Sequence, residues 1–318
     1  MMKSIRTLVR QDREKYIIPR RVQDVIPIQK IWEDGIFLTG GRYAKTFRFT
    51  DINYQVASEP DKEKMFRGYS ALINSLDCGA TTKITIFNHK MSQINFEKSI
   101  LMPMQWDGLD DYREEYNQML LDKATNGNGI VQEKFITISV RKKDVDTARS
   151  FFARVEADLS SHFAALGSTC GPMNTIERLQ ILHRFYRRGE ENEFSFSLRD
   201  SVRKGHSFRD YICPDSIERH SDYLQIGDRF ARVLYLKDYA SYIQDDFVSE
   251  LTDLNRDMML SIDMVPIPTD EAVREVENRL LGVETNITNW QRRQNSNNNF
   301  SAVVPYDMEL QRKESKEF

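Results

Sequence analysis

The sequence predicts an α+β fold: two ferredoxin-like units with antiparallel sheets covered by helices. Segments of strand-type alternation take turns with segments of helical periodicity along most of the 318 residues. Two early strands flank a Gly-Gly pair, a hairpin signal. A block of ten residues, RYAKTFRFTD at 42–51, is echoed by RFARVLYLKD at 229–238, so one structural unit is expected twice.

Residues 1–34 read as a basic, proline-bracketed arm. Pro19 and Pro27 each remove a backbone donor and push the preceding residue toward extended geometry, which argues against a long helix across them. Ile17, Ile18, Val22, Val25, Ile26 and Ile28 are too apolar for a free tail and are expected to pack against the domain or a partner. In the first unit, residues 35–167, strands at 36–39 and 43–49 form the hairpin, with Gly40-Gly41 supplying the positive φ of its turn. A helix over 61–76 follows, with Met65, Tyr69, Leu72 and Leu76 as its apolar stripe. Then come a strand at 83–88 and a helix at 112–124 that stops at the Asn-Gly-Asn-Gly turn of 126–129. A strand at 133–141 and a helix at 144–166 complete this unit, the helix burying Val145, Ala148, Phe152, Val155, Leu159 and Phe163, with Gly167 as its C-cap.

Residues 168–221 carry a helix over 175–188, with Thr175 as N-cap, and then a connecting segment without periodicity. In the second unit, residues 222–318, strands at 223–226 and 230–236 surround Gly227-Asp228. A helix at 245–254, a strand at 258–264 and a long helix at 270–294 follow. The final YDMELQRKESKEF has helical composition and runs to Phe318 without a cap, which predicts a chain cut from a longer protein.

Composition narrows the function classes. With 40% hydrophobic and 29% charged residues, the chain has a globular make-up rather than a disordered one. A net charge of −3 gives no global attraction to nucleic acid or anionic lipid. Cys78, Cys170 and Cys213 lie far apart and read as small buried side chains of a cytoplasmic protein, not as a disulfide framework. No stretch approaches the roughly 20 apolar residues that span a bilayer, and the first fifteen residues lack the apolar core of a secretory signal.

Catalytic signatures are missing. A phosphate-cradling P-loop needs GxxxxGK[ST], and the dipeptide Gly-Lys occurs nowhere. His89, His162, His183, His206 and His220 show no metal-ligand spacing. Acidic pairs such as Asp110-Asp111 sit at helix starts, where the helix dipole accounts for them. No catalytic, cofactor-binding or metal residue is assigned. One basic region, Arg184, Arg187, Arg188, Arg203, Lys204 and Arg209, alternates with Phe185, Tyr186, Phe194, Phe196 and Phe208. That interleaving supports an alternative reading as a single-stranded nucleic-acid module, with phosphate contacts and base stacking.

Four segments, IIPRRVQDVIPI, DGIFLTGGRYAKTFRFTDINY, NGNGIVQEKFITISV and SDYLQIGDRFARVLYLKDYAS, resemble the amino-terminal region of VirB/TraC/TraE-like conjugal-transfer ATPases of type IV secretion systems. The resemblance implies an assembly domain that docks the ATPase to inner-membrane subunits of the channel, on the cytoplasmic face, and supports self-association. It also implies that ATP and Mg²⁺ belong to a carboxy-terminal RecA-like domain not found in this sequence. The expected partner-binding residues are those of the arm: Ile17, Ile18, Pro19, Arg20, Arg21, Val22, Val25, Ile26 and Pro27.

Overall fold

A computed structural model describes residues 19–52, 54, 56–76, 79–90, 101–126, 130–238, 247–296 and 304–317. Contacts divide the chain into two units, Met1–Ser75 with Thr82–Asp263, and Leu76–Thr81 with Met264–Phe318. The fold is α+β with antiparallel pairing, as the sequence predicts.

The first unit opens with a single helical turn, α1 (Val22–Val25), and strand β1 (Ile28–Ile31). Strands β2 (Phe37–Thr39) and β3 (Arg42–Phe49) form the expected hairpin, Thr39 opposite Arg42. Its two turn residues, Gly40 and Gly41, have φ of 56° and 73°, the pair of left-handed conformations that a two-residue turn needs. Helix α2 (Glu59–Ser75), strand β4 (Ala80–Lys90), helix α3 (Asp110–Asn126) and strand β5 (Ile130–Val140) follow. Helix α4 (Val145–Ala165) is capped by Asp144, whose side chain accepts from the Thr147 amide at 2.8 Å. Strand β6 (Cys170–Pro172) leads into helix α5 (Thr175–Tyr186).

One edge of β3 pairs with β5 along its whole length, from Tyr43 opposite Val140 to Phe49 opposite Lys134. The other edge is shared: Arg42–Ala44 pair with β2, and Phe47–Phe49 with β6. Adjacent residues Phe135 and Ile136 of β5 are both buried, so both faces of the sheet are covered. On one face Ile136 and Ile84 lie beneath α2 and α4. On the other, Phe135 and Phe87 pack with Met173 and with Ile181 of α5.

Asn174, not Thr175, is the N-cap of α5, forming a capping box with Glu177. Thr175 instead donates its hydroxyl to the Trp32 carbonyl and accepts from the Gly35 amide at 3.2 Å. Gly35 has φ 77°, and a Cβ there would stand 2.0 Å from the Met173 carbonyl oxygen. Only glycine permits this approach of the turn to the start of α5. Arg178 locks the same junction, donating to the Gly35 and Ala44 carbonyls at 2.6 and 2.8 Å, with its guanidinium 3.8 Å from the Phe37 ring centre. Burial lowers its pKa to about 9, so it stays protonated at neutral pH.

The segment expected to be a plain connection is built from short elements: a 3₁₀ turn at Glu191–Glu193, helix α6 (Leu198–Lys204) and a second 3₁₀ turn at Phe208–Tyr211. Local caps define them. Ser197 caps α6, and Ser207 with Asp210 forms a capping box. Phe196, Ile212 and Cys213 from this stretch join Ile26, Ile28, Phe37 and Leu179 in one core cluster.

Strands β7 (Ile217–Arg219), β8 (Leu224–Ile226) and β9 (Arg229–Ala231) make a separate antiparallel sheet in that order. The strand expected over 230–236 thus stops at Ala231. Residues 232–237 carry no regular structure, because no neighbouring strand meets them among the described residues. Helix α7 (Phe247–Thr252) precedes strand β10 (Met258–Met264), which joins β4 at the end of the large sheet. The described residues of 222–263 therefore belong with the first unit, and Met264 falls in the second.

In the second unit, helix α8 (Thr269–Ser296) and helix α9 (Tyr306–Glu317) contact each other, with Glu284 and Arg312 at 4.0 Å. Among the described residues no helix is long and apolar enough to cross a membrane.

Candidate interaction surfaces

The arm splits into an anchored and an exposed part. Ile17 and Ile18 lie outside the described residues. Ile26 is buried in the core cluster and Val22 packs against it, so these two serve their own domain. Burying one such side chain stabilises by about 1.5–3 kcal/mol. Pro19 and Val25 are half-buried, while Arg20, Arg21 and Pro27 are exposed. Gln23 hydrogen-bonds Asp210, and Arg209 donates to the Ile28 carbonyl at 2.6 Å, which ties the arm to the Phe208–Tyr211 turn.

Most of the basic cluster faces acids or carbonyls of its own fold. Arg184 pairs with Glu133 at 3.0 Å. Arg187 meets Glu190 at 2.6 Å and Asp215 at 3.0 Å, and donates to the Cys213 carbonyl. Arg188 pairs with Asp257, and Arg209 is committed to Ile28. Arg203 and Lys204 alone among the six are exposed without a partner among the described residues, in the last turn of α6 where the helix dipole favours them. The elements carrying Arg20, Arg21, Arg203 and Lys204 share one hydrophobic cluster through Val22, Leu198 and Phe208.

Glu133 is the most connected carboxylate. Its Oε2 receives His89 Nε2 and Arg184 Nη1, each at 3.0 Å, and its Oε1 lies 3.1 Å from Arg48 Nη2. Burial raises its pKa, but the His89 hydrogen bond and the charges of Arg184 and Arg48 outweigh it and leave the carboxyl below its ordinary value. This hub knits β3, β4, β5 and α5 together and engages both carboxylate oxygens within the fold. The two described thiols are held in the protonated form. Burial, with the nearby Glu156 charge, lifts Cys170 to about 11, and burial lifts Cys213 as well. Cys78 lies outside the described residues. Among the described residues no group of His, Cys, Asp and Glu is placed to hold a metal ion.

An apolar cavity of about 330 Å³ lies beneath α2, lined chiefly by Phe49, Met65, Leu72, Ile84, Ile136 and Phe163. Of the stripe predicted for that helix, only Leu72 is fully buried, and Tyr69 remains 42% exposed. Met65 and Leu76 are half-buried, so Leu72 is the stripe residue that seats the helix most firmly.

The most exposed aromatic anchor is one that sequence reasoning missed. Trp106 is 90% exposed and has φ 58°, a left-handed conformation that costs a non-glycine residue about 1–3 kcal/mol. The loop that carries it is fixed at three points. Asp110 accepts from the Gln105 and Trp106 amides at 3.0 and 2.9 Å. Arg113 bridges Asp107 and Asp110 at 2.6 and 2.7 Å. Asn117, itself buried, exchanges two hydrogen bonds with the Met102 backbone at 2.8 and 2.9 Å. The Arg113 hydrogen bond holds the Asp107 carboxyl down at about 2. Met102, Met104, Leu109, Tyr112 and Tyr116, within ten residues of it in sequence, are exposed too. This is the residue chemistry of a binding anchor, on a backbone organised before any partner arrives.

Comparison with protein-family models and with curated proteins finds no match for this chain.

Proposed function

We propose that this chain is an interaction domain: the amino-terminal, assembly half of a conjugative type IV secretion ATPase. It docks the enzyme on inner-membrane subunits of the channel at the cytoplasmic face. The observation that carries the reading is Trp106, displayed on a pinned, strained loop whose sequence neighbours include exposed methionines and tyrosines. A strained backbone that Asp110 holds, in a loop that Arg113 and Asn117 brace nearby, supports a functional role for what it displays. The exposed arm residues Arg20, Arg21 and Pro27 are the second docking element.

The choice of partner rests on the resemblance, whose four segments supply α1, the β2–β3 hairpin, β5, and β8 with β9. The finer fold reading, two ferredoxin-like units, belongs with this proposal. The alternation of β3, α2, β4, α3, β5 and α4 supports it for the first half, while the second half lends β10 to the same sheet. ATP and Mg²⁺ are assigned to a RecA-like domain outside this sequence, since no Gly-Lys is present to build a P-loop. Phosphate release from ATP by the purified chain tests that assignment. Background rates are expected, and turnover abolished by substituting a residue within 19–317 would refute it.

A further inference from the structure

We propose that the cavity beneath α2 is a binding site for a free, uncharged, single-chain aliphatic molecule of octyl size. The cavity measures about 330 Å³ and all of its lining belongs to the first unit. Ile84 and Ile136 of the sheet, Leu72 of α2 and Phe163 of α4 are its buried walls. Protein interiors leave few voids larger than a water molecule. A cavity of about 150 Å³ lined by such side chains stays dry and takes up benzene. This one has roughly twice that volume, within the range of small-molecule sites.

The helix above the cavity is placed by a glycine. A Cβ on Gly68 would stand 2.7 Å from the side chain of Leu166, the C-cap of α4, so α2 meets the end of α4 at its one residue without a side chain. A glycine inside a helix is destabilising. Here it permits a close approach at one point, while Met65 and Leu72, a turn to either side, line the open space. The polar groups on the lining select the ligand. Asp51 is the one charged residue among those described, and it is already paired with Lys134. A charged ligand would therefore bury its charge without a partner, which disfavours fatty acids and amines alike. The hydroxyls of Thr50 and Ser168 lie 3.2 Å apart, and Ser168 donates to the Thr50 carbonyl. Tyr69 lines the open side, and its hydroxyl bonds to no described residue. It is the neutral group left for the polar end of an alcohol. The inference stands apart from the conjugation reading, since it needs only the cavity and its lining.

Methyl NMR of the full chain titrated with octanol is the test. Saturable shifts are expected at Ile73, Ile84 and Ile136, which line the cavity, and none at Ile28 and Ile212 of the other core cluster. Octanol should bind about fifteenfold more tightly than hexanol, about fourfold for each buried methylene. Octanoate should bind at least about tenfold more weakly than octanol. Asp51→Lys, which sets a cation on the exposed part of the lining, should narrow that gap several-fold and leave octanol unchanged. Failure to saturate, or equal shifts at Ile28 and Ile212, overturns the proposal. So does octanoate binding as tightly as octanol, hexanol matching octanol, or a gap indifferent to Asp51→Lys.

Discussion

Replacing Glu133 by Gln removes one negative charge from beneath three hydrogen-bond donors. The Glu133 side chain is 15% exposed, with Arg184 at 19% and His89 at 13%, while Arg48 at 46% can turn to water. Stripping one partner from a buried pair costs roughly 3–5 kcal/mol. The residual exposure of this hub places the expected loss near the lower end, about 3 kcal/mol. For a unit of this size that corresponds to a Tm lower by roughly 6–12 °C. The glutamine keeps the shape but adds two donors where three already converge, so Glu133→Ala should be little worse. Urea unfolding followed by circular dichroism measures both. The carboxyl's folded pKa is depressed, so its stabilisation is complete above the ordinary carboxylate value and is lost as pH falls through the folded value. The Glu133→Gln protein should lack that part of the acid limb. A loss below about 1 kcal/mol, the worth of an exposed pair, would refute the reasoning.

Three further outcomes follow from other sites. His183 is buried with Nδ1 unpartnered among the described residues, and burial, helped by the Arg187 charge, depresses its pKa. The unfolded chain therefore binds the proton first, and stability should decline as pH falls from about 6.5 toward the folded value. His183→Phe should flatten that decline in pH-dependent urea titrations, and an unchanged slope would count against it. Gly35→Ala should cost at least about 2 kcal/mol in the same assay, from its positive φ and the Met173 clash; a loss under half of that would show the turn to be loosely seated. Single-stranded DNA should bind weakly, with a log–log salt slope no steeper than roughly −1.4, because only Arg203 and Lys204 of the six basic candidates stay uncommitted. A steep slope in a fluorescence titration would favour the nucleic-acid alternative.

What could be read from the sequence was mostly local. Gly40-Gly41 marks its hairpin because two left-handed residues are what that turn requires. Asp144 and the stripe through Ala148, Phe152, Leu159 and Phe163 describe α4 because caps and periodicity act within a few residues. Pairing partners were less accessible. The echo at 229–238 has strand-like alternation equal to that of 42–51, yet β3 gains three neighbours, whereas the echo's run past Ala231 meets none among the described residues. Phe196, Ile212 and Cys213 gave no periodic signal because they enter the core one at a time between short capped turns. The commitment of Arg184 to Glu133 and of Arg188 to Asp257 depends on contacts distant in sequence, which spacing does not reveal. Trp106 had a local sign: Asp107-Gly-Leu-Asp110, with Arg113 one turn on, is a cap-like cluster that can fold the preceding loop back on the helix.

Docking through Trp106 is measured by the affinity of the purified chain for vesicles carrying the inner-membrane subunits of a type IV channel, compared with Trp106→Ala. Trp106 is almost fully exposed, so its removal leaves the core intact. Saturable binding that needs the subunits is expected, weaker by roughly 2 kcal/mol, about thirtyfold, in the variant. Equal affinity for both proteins, or equal binding to vesicles without the subunits, would contradict it.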